Sequence, residues 1–169
     1  MSNKAFKALG TICFIVYLML LIRVSIFYFP DTMISGILSS WSVEGFIRHL
    51  SYVNFIPFKT IGPTLFNPSL PWIEVPNMLA NIIGFVPLGF MIPYLIPSTR
   101  KIARILIIGF GVSLALEAVQ VVTILGTGDI DDVLLNVVGA LLGYALFEMV
   151  STAWLKVSRP FDASYETVG

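Results

Sequence analysis

Four long apolar runs dominate the chain, at residues 9–29, 78–96, 102–125 and 133–155. The first run, with about 21 residues at about 1.5 Å per residue, extends roughly 31 Å, which is enough to cross the hydrocarbon core of a bilayer. The other runs have similar lengths. The pattern predicts an all-α, polytopic membrane protein with four transmembrane helices, one membrane domain over residues 1–169 and a polar tail at 156–169.

Residues 31–77, between the first two runs, do not look like another span. They contain five prolines from Pro57 to Pro76, and no window offers about 20 uninterrupted apolar residues. Aromatic side chains such as Trp41 and Tyr52 favour the headgroup region of a membrane. We expect an interfacial outer loop of short amphipathic helices and a proline-rich stretch, with one helix over Met33–Ser42 capped by Asp31.

Composition agrees with a membrane protein and excludes several other classes. The chain is 57% hydrophobic and only 12% charged, whereas about a quarter of the residues in a soluble domain are charged. A net charge of zero predicts no nucleic-acid partner. The single cysteine, Cys13, excludes an intrachain disulfide, and the single histidine, His49, excludes a zinc site with several His and Cys ligands.

Basic residues predict the orientation in the membrane. With four spans, all three basic clusters fall on one side: before the first span, between the second and third, and after the fourth, at Lys4, Lys7, Arg100, Lys101, Arg104, Lys156 and Arg159. Lys and Arg accumulate on the cytoplasmic side. We therefore expect a multi-pass membrane protein with both termini in the cytoplasm, and loops 31–77 and 126–132 outside.

Polar side chains interrupt the apolar runs, and with this orientation all of them lie in the outer half. Asn81 and Asn136 lie about one turn, roughly 5 Å, below the outer ends of their spans, and Gln120 and Glu117 lie roughly 8 and 12 Å below theirs. Buried polar groups in a membrane usually mark a site or a helix contact. The predicted ligand-binding residues are these four and the acids of the outer loop: Asn81, Glu117, Gln120, Asp129, Asp131, Asp132 and Asn136.

Each of these residues also has a structural interpretation. Asp129 or Asp131 can cap the fourth helix, and Asp132 suits its positive dipole end. Asn81 and Asn136 can bridge helices by hydrogen bonds. Glu117 can bind a ligand, proton or ion, or can pair with Arg23 or Gln120.

Four residues are predicted to have structural roles: Arg23, Pro87, Gly139 and Gly143. Pro87 is expected to kink the second span, and Gly139 and Gly143 to allow close helix packing. Arg23 either snorkels to the near interface or faces inward and pairs with a buried acid.

Several motifs appear in the order found in one family. The stretches are Asn54-Phe-Ile-Pro-Phe58, Asn81-Ile-Ile-Gly-Phe-Val-Pro-Leu-Gly-Phe90, Glu117-Ala-Val-Gln120 and the run from Asp129 to Tyr144. In these motifs the chain resembles the VanZ-like family of bacterial membrane proteins. The resemblance implies a small four-span protein and an association with resistance to the lipid-bearing glycopeptide teicoplanin.

One position departs from the family's pattern. Members often carry an arginine between Glu-x-x-Gln and the acidic run, where this chain has Gly126-Thr-Gly128. If that arginine neutralises the acids, another cation must do so here, and Arg23 or a bound metal ion are the candidates. We predict no cofactor, and a divalent cation at the acidic loop is the alternative.

Two functions fit these observations best. In the first, the outer polar pocket binds an amphiphile, either a lipoglycopeptide such as teicoplanin or a membrane lipid or lipid-linked wall precursor, and contributes to glycopeptide resistance. In the second, a small homo-oligomer assembled through its glycine faces is a proton- or cation-coupled transporter or flippase. A membrane enzyme ranks third, because the chain lacks the His-rich sets and the Ser–His pairing common in hydrolases.

Overall fold

The computed structural model describes residues 3–66 and 74–158, which form seven α-helices and one short 3₁₀ turn. The helices are α1 Asn3–Ile26, α2 Asp31–Ser39, α3 Val43–Leu50, α4 Ile61–Phe66, α5 Glu74–Leu95, α6 Ile102–Thr123 and α7 Ile130–Ser158. Four of them, α1, α5, α6 and α7, are long and apolar enough to cross a membrane. The predicted four-span, all-α fold is therefore confirmed.

The spans begin and end a few residues from their predicted limits. Helix α1 ends at Ile26 rather than at residue 29, and α5 and α7 begin earlier than predicted, at Glu74 and Ile130. Helix α7 starts early because its first turn contains Asp131 and Asp132, which suit a helix N-terminus although they are polar. Hydropathy alone placed that turn in a loop.

Helices α5 and α7 run parallel and form the tightest contact of the bundle. A Cβ atom added at Gly139 would collide with the backbone of Ile82, and one at Gly143 with the backbone of Val86. Gly89 of α5 meets the backbone of Ala140 in the same way. Only glycine lets two helix backbones come this close, so Gly139 and Gly143 lie where α7 packs directly on the backbone of α5.

The predicted interfacial loop contains three short helices at one end of the bundle. We call this end, with residues 27–66 and 124–129, the loop end, and the opposite end, with residues 3–9 and 96–101, the terminal end. The second helix of this region, α3, is amphipathic, and Ser42 caps it by accepting a hydrogen bond from the Gly45 N–H. Two side chains tie the region to the α6–α7 turn: Trp41 donates to the Val122 carbonyl, and His49 Nε2 lies 2.7 Å from the Gly126 carbonyl.

One local expectation was wrong, and one of the two alternatives for Arg23 does not hold. Asp31 does not cap α2, because it is the first residue of that helix, and the residue before it, Pro30, has no side chain that can cap. Arg23 does not pair with a buried acid. Its side chain is half-exposed and lies 3.4 Å from the exposed carboxylate of Asp31. The proline-rich residues 67–73 and the tail beyond Ser158 lie outside the described residues.

Candidate functional site

A cavity of about 460 Å³ lies between α1, α5, α6 and α7 at the loop end of the bundle. Most of its wall is apolar, with Leu21, Phe85 and Leu116 among the buried contributors. Leu20 and Val24 of α1 and Ile83 of α5 also line it, although each is more than 40% exposed. The cavity therefore opens sideways between the loop-end halves of α1 and α5, where a transmembrane protein faces lipid.

Five of the seven predicted ligand-binding side chains line this cavity, and they come from three different helices. They are Asn81 on α5, Glu117 and Gln120 on α6, and Asp132 and Asn136 on α7. Pro87, inside α5, also contributes to the wall. The structure thus brings together groups that are up to 55 positions apart in the chain (Asn81 to Asn136).

Asp131 does not line the cavity and instead holds the outer loop in place. Its side chain is fully buried, at 0% exposure. Oδ1 accepts a hydrogen bond from the Phe58 N–H, and Oδ2 accepts from the N–H groups of Thr60 and Ile61 at 2.7 and 3.1 Å. These donors satisfy the carboxylate as a cation would.

Asp129 holds the same loop and caps α7. Oδ1 accepts from the Asp131 N–H at 2.8 Å, which is the capping geometry, and from the Asn54 amide at 2.7 Å. Oδ2 accepts from the Thr60 hydroxyl at 2.6 Å. The backbones of Asn54 and Asp129 also form an isolated parallel bridge. Residues 54–61, which we call the clasp, are therefore fastened to the start of α7 by both acids.

Glu117 connects the clasp to the cavity. It is 9% exposed, and its Oε2 accepts a hydrogen bond from the Asp129 N–H at 2.9 Å. The pairing expected with Arg23 or Gln120 does not form, because Arg23 contacts Asp31 and the Gln120 amide donates to the Ser25 carbonyl at 2.7 Å. Glu117 thus lines the cavity and also fixes the turn that precedes α7.

The two asparagines have incomplete hydrogen bonding. Asn136 donates from Nδ2 to the Ser113 hydroxyl at 2.9 Å, which supports the predicted bridge between α6 and α7. Its Oδ1 and the Nδ2 of Asn81 are buried and have no partner among the described residues. Buried polar atoms are normally paired, so both atoms could bind a guest in the cavity.

A family model, described as VanZ/LLP1, matches residues 14–151. The chain belongs to the VanZ/LLP1 family. Comparisons with curated proteins and with solved structures gave no match. The matched region of this VanZ/LLP1 protein contains α5, α6, parts of α1 and α7, the clasp and every residue of the cavity wall.

Asp129 and Asp131 of this VanZ/LLP1 protein are hydrogen-bonded without Arg23. The clasp supplies five hydrogen-bond donors to Asp129 and Asp131, three of them backbone N–H groups. No group of three or more His, Cys, Asp and Glu side chains in residues 3–66 and 74–158 is arranged to hold a metal ion. A divalent cation at the acidic loop stays a prediction.

Sequence reasoning missed several residues that build the site. Tyr17 lines the cavity and donates its hydroxyl to the Gly84 carbonyl at 2.8 Å, where α1 crosses α5. A tyrosine in the middle of an apolar span was a usable signal, because its hydroxyl needs a partner there. Asn54 and Thr60 gave a weaker signal, since polar residues in a loop are expected to face water.

Proposed function

We propose that this VanZ/LLP1 protein binds an amphiphile at the membrane surface, with the apolar chain between α1 and α5 and the polar group beside Glu117. The observation that carries the proposal is the cavity, which has apolar walls, a sideways opening and buried polar atoms without partners. Ligand pockets typically combine apolar walls with a few well-placed polar groups. The candidates are a membrane lipid, a lipid-linked wall precursor and a lipoglycopeptide such as teicoplanin.

The loop end is proposed to face outward in the bacterial cell membrane. Lys4, Lys7, Arg100, Lys101 and Arg104 all lie at the terminal end or next to it, and the positive-inside rule assigns that end to the cytoplasm. The cavity then opens to the outer leaflet, where envelope lipids and lipoglycopeptides are found. By holding an acyl tail there, the protein would contribute to glycopeptide resistance.

The test is antibiotic susceptibility of a deletion strain that expresses wild type, Glu117→Gln or Asp132→Asn. Glutamine can still accept the Asp129 N–H through its amide oxygen, so the fold should persist while the charge is lost. Glu44→Gln is the matched control, because Glu44 is an exposed acid on α3 that does not line the cavity. Expression of every variant is measured.

We expect wild type and Glu44→Gln to restore resistance to teicoplanin more than to vancomycin, which lacks an acyl tail, and both cavity variants to fail. Equal shifts for the two antibiotics, or equal complementation by all four proteins, would contradict the proposal.

The position of Glu117 also suggests a second function, a proton- or cation-coupled transporter or flippase. Glu117 is a carboxylate within a membrane span and it lines a cavity. However, α1 contacts α5 near the middle of the bundle, where Tyr17 bonds to Gly84, and nearer the terminal end, where Gly10 packs on the Tyr94 ring. A path through the protein between these two helices would require α1 to separate from α5. Proton-coupled uptake into vesicles that Glu117→Gln abolishes would favour transport, and a strictly monomeric protein in lipid would disfavour a homo-oligomeric carrier.

A further inference from the structure

All charged side chains of the cavity wall are acidic. Among the described residues that line it, Glu117 and Asp132 carry carboxyl groups, and none is lysine, arginine or histidine. Arg23 lies on α1 between the lining residues Leu21 and Val24, but its side chain is half-exposed and lies 3.4 Å from Asp31. A carboxylate beside apolar walls is stabilised by a positive charge or by hydrogen-bond donors. A guest with positive charge would therefore complement this wall.

The two buried side-chain atoms without a partner among the described residues are one acceptor, Asn136 Oδ1, and one donor, Asn81 Nδ2. Asn136 is 5% exposed, and its Oδ1 is buried and unpartnered among the described residues. Its orientation is set by the bond from Nδ2 to Ser113, so Oδ1 is left to accept from a guest. Glu117 uses Oε2 for the Asp129 N–H and lines the same cavity.

We propose that the polar group held in this cavity is a protonated primary amine carried by an amphiphile. The inference rests on the proposed function and specifies the ligand. An ammonium group has three N–H donors, which can serve the Glu117 carboxylate and Asn136 Oδ1, while Asp132 adds negative charge to the same wall. A phosphate or carboxylate head group would face two carboxylates instead, and is disfavoured.

The apolar part of the ligand follows from the opening. From the polar wall on α6 and α7, the way out of the cavity passes Leu20, Val24 and Ile83, all exposed toward lipid. An alkyl chain can lie along these side chains while the amine stays inside. An inorganic cation could also neutralise the acids, but it has no alkyl chain to contact the apolar side chains at the opening. The experiment therefore includes inorganic cations as competitors.

The experiment is photo-crosslinking of the full chain in phosphatidylglycerol vesicles. Two tetradecyl probes with a diazirine in the alkyl chain are compared, one ending in a primary amine and one in its N-acetyl derivative. Labelling of α1 and α5 is measured by mass spectrometry. It is divided by labelling around Ile107, an exposed α6 residue that does not line the cavity, which corrects for unequal partitioning into the membrane.

We expect the amine probe to label the cavity about tenfold more than its N-acetyl derivative, because a hydrogen bond to a charged group contributes about this factor. Glu117→Gln should bring the ratio close to one, and Glu44→Gln should leave it unchanged. Ala80→Trp, which fills the mouth of the cavity, should remove labelling by both probes.

Three outcomes would overturn the inference, and they distinguish its failure from a failure of the proposed function. If both probes label wild type equally and Ala80→Trp blocks both, the cavity binds amphiphiles without selecting an amine, and only the inference fails. If neither probe labels the cavity, the proposed function fails too. If Na⁺, Mg²⁺ or Ca²⁺ at physiological concentrations displaces the amine probe from wild type, the acids form an inorganic-cation site, and the inference is wrong.

Discussion

At the scale of single residues, the three aspartates between positions 129 and 132 make different contacts. Asp131 is enclosed by N–H donors of the clasp, Asp129 caps α7 and binds the clasp, and Asp132 lines the cavity. Neighbouring residues on a helix point in directions about 100° apart. A shift of one position therefore decides whether a carboxylate fastens a loop or lines the cavity.

Asp131→Asn should destabilise the protein by about 2 kcal/mol or more. The asparagine NH₂ group replaces an acceptor and meets backbone N–H groups of the clasp, which then lose their partner. The free energy of unfolding by SDS titration in detergent micelles measures this effect. Asp31→Asn is the control, because Asp31 is exposed and a surface ion pair contributes little. Equal stability of the two variants would show that the clasp does not depend on the buried charge.

At the scale of secondary-structure elements, α5 and α7 form the rigid part of the bundle. Glycines at three crossing points let the backbones touch, and Gly89 and Ala140 lie in the most deeply buried layer. Helix α1 has only two buried apolar side chains, Leu21 and Ile26, and it is also held by hydrogen bonds of the Tyr17 hydroxyl to α5 and of the Ser25 carbonyl to Gln120 of α6. The cavity lies where this loosely packed helix meets the rigid pair.

Gly139→Ala should lower the free energy of unfolding by roughly 1–3 kcal/mol, since the added methyl group forces α5 away from α7. Gly111→Ala is the matched control, because it lies on an α6 face where an added Cβ meets nothing within 4 Å. It should be neutral or slightly stabilising, as alanine is the better helix former. The free energy of unfolding of both variants is measured by SDS titration. An equal loss of stability in the two would show that replacing any helical glycine is enough, and that the contact between α5 and α7 is not the cause.

At the scale of the whole molecule, the large exposed apolar surface fits a lipid environment. Exposed Leu, Ile, Val and Phe side chains occur along all four long helices. The loop end additionally exposes aromatic side chains, among them Tyr28, Tyr52, Phe55 and Phe66, as expected at a membrane interface. The protein thus buries polar side chains within its loop end and exposes apolar side chains on its surface.

The proposed orientation predicts which end a membrane-impermeant maleimide reaches on intact cells. In a Cys13→Ser background, Ser51→Cys at the loop end should be labelled directly, because the outer loop faces the medium. Ser98→Cys, in the 3₁₀ turn at the terminal end, should be labelled only after the membrane is permeabilised. Both serines are exposed, so access and not burial decides the result. The reverse pattern would invert the topology and place the cavity in the inner leaflet.

The sequence alone determined the four spans, because a bilayer requires about 20 apolar residues per helix and that requirement is local. It also singled out the polar residues that interrupt the spans, since hydrocarbon excludes them unless they have a partner. Only the tertiary structure decided what each one touches. The contacts of Asp131 with the clasp and of Gln120 with Ser25 join residues that are 70 or more positions apart. Such pairings depend on how the helices rotate about their axes and cross one another. The glycines of α5 and α7 fix that arrangement through close backbone packing, and it cannot be predicted from any short stretch of the sequence.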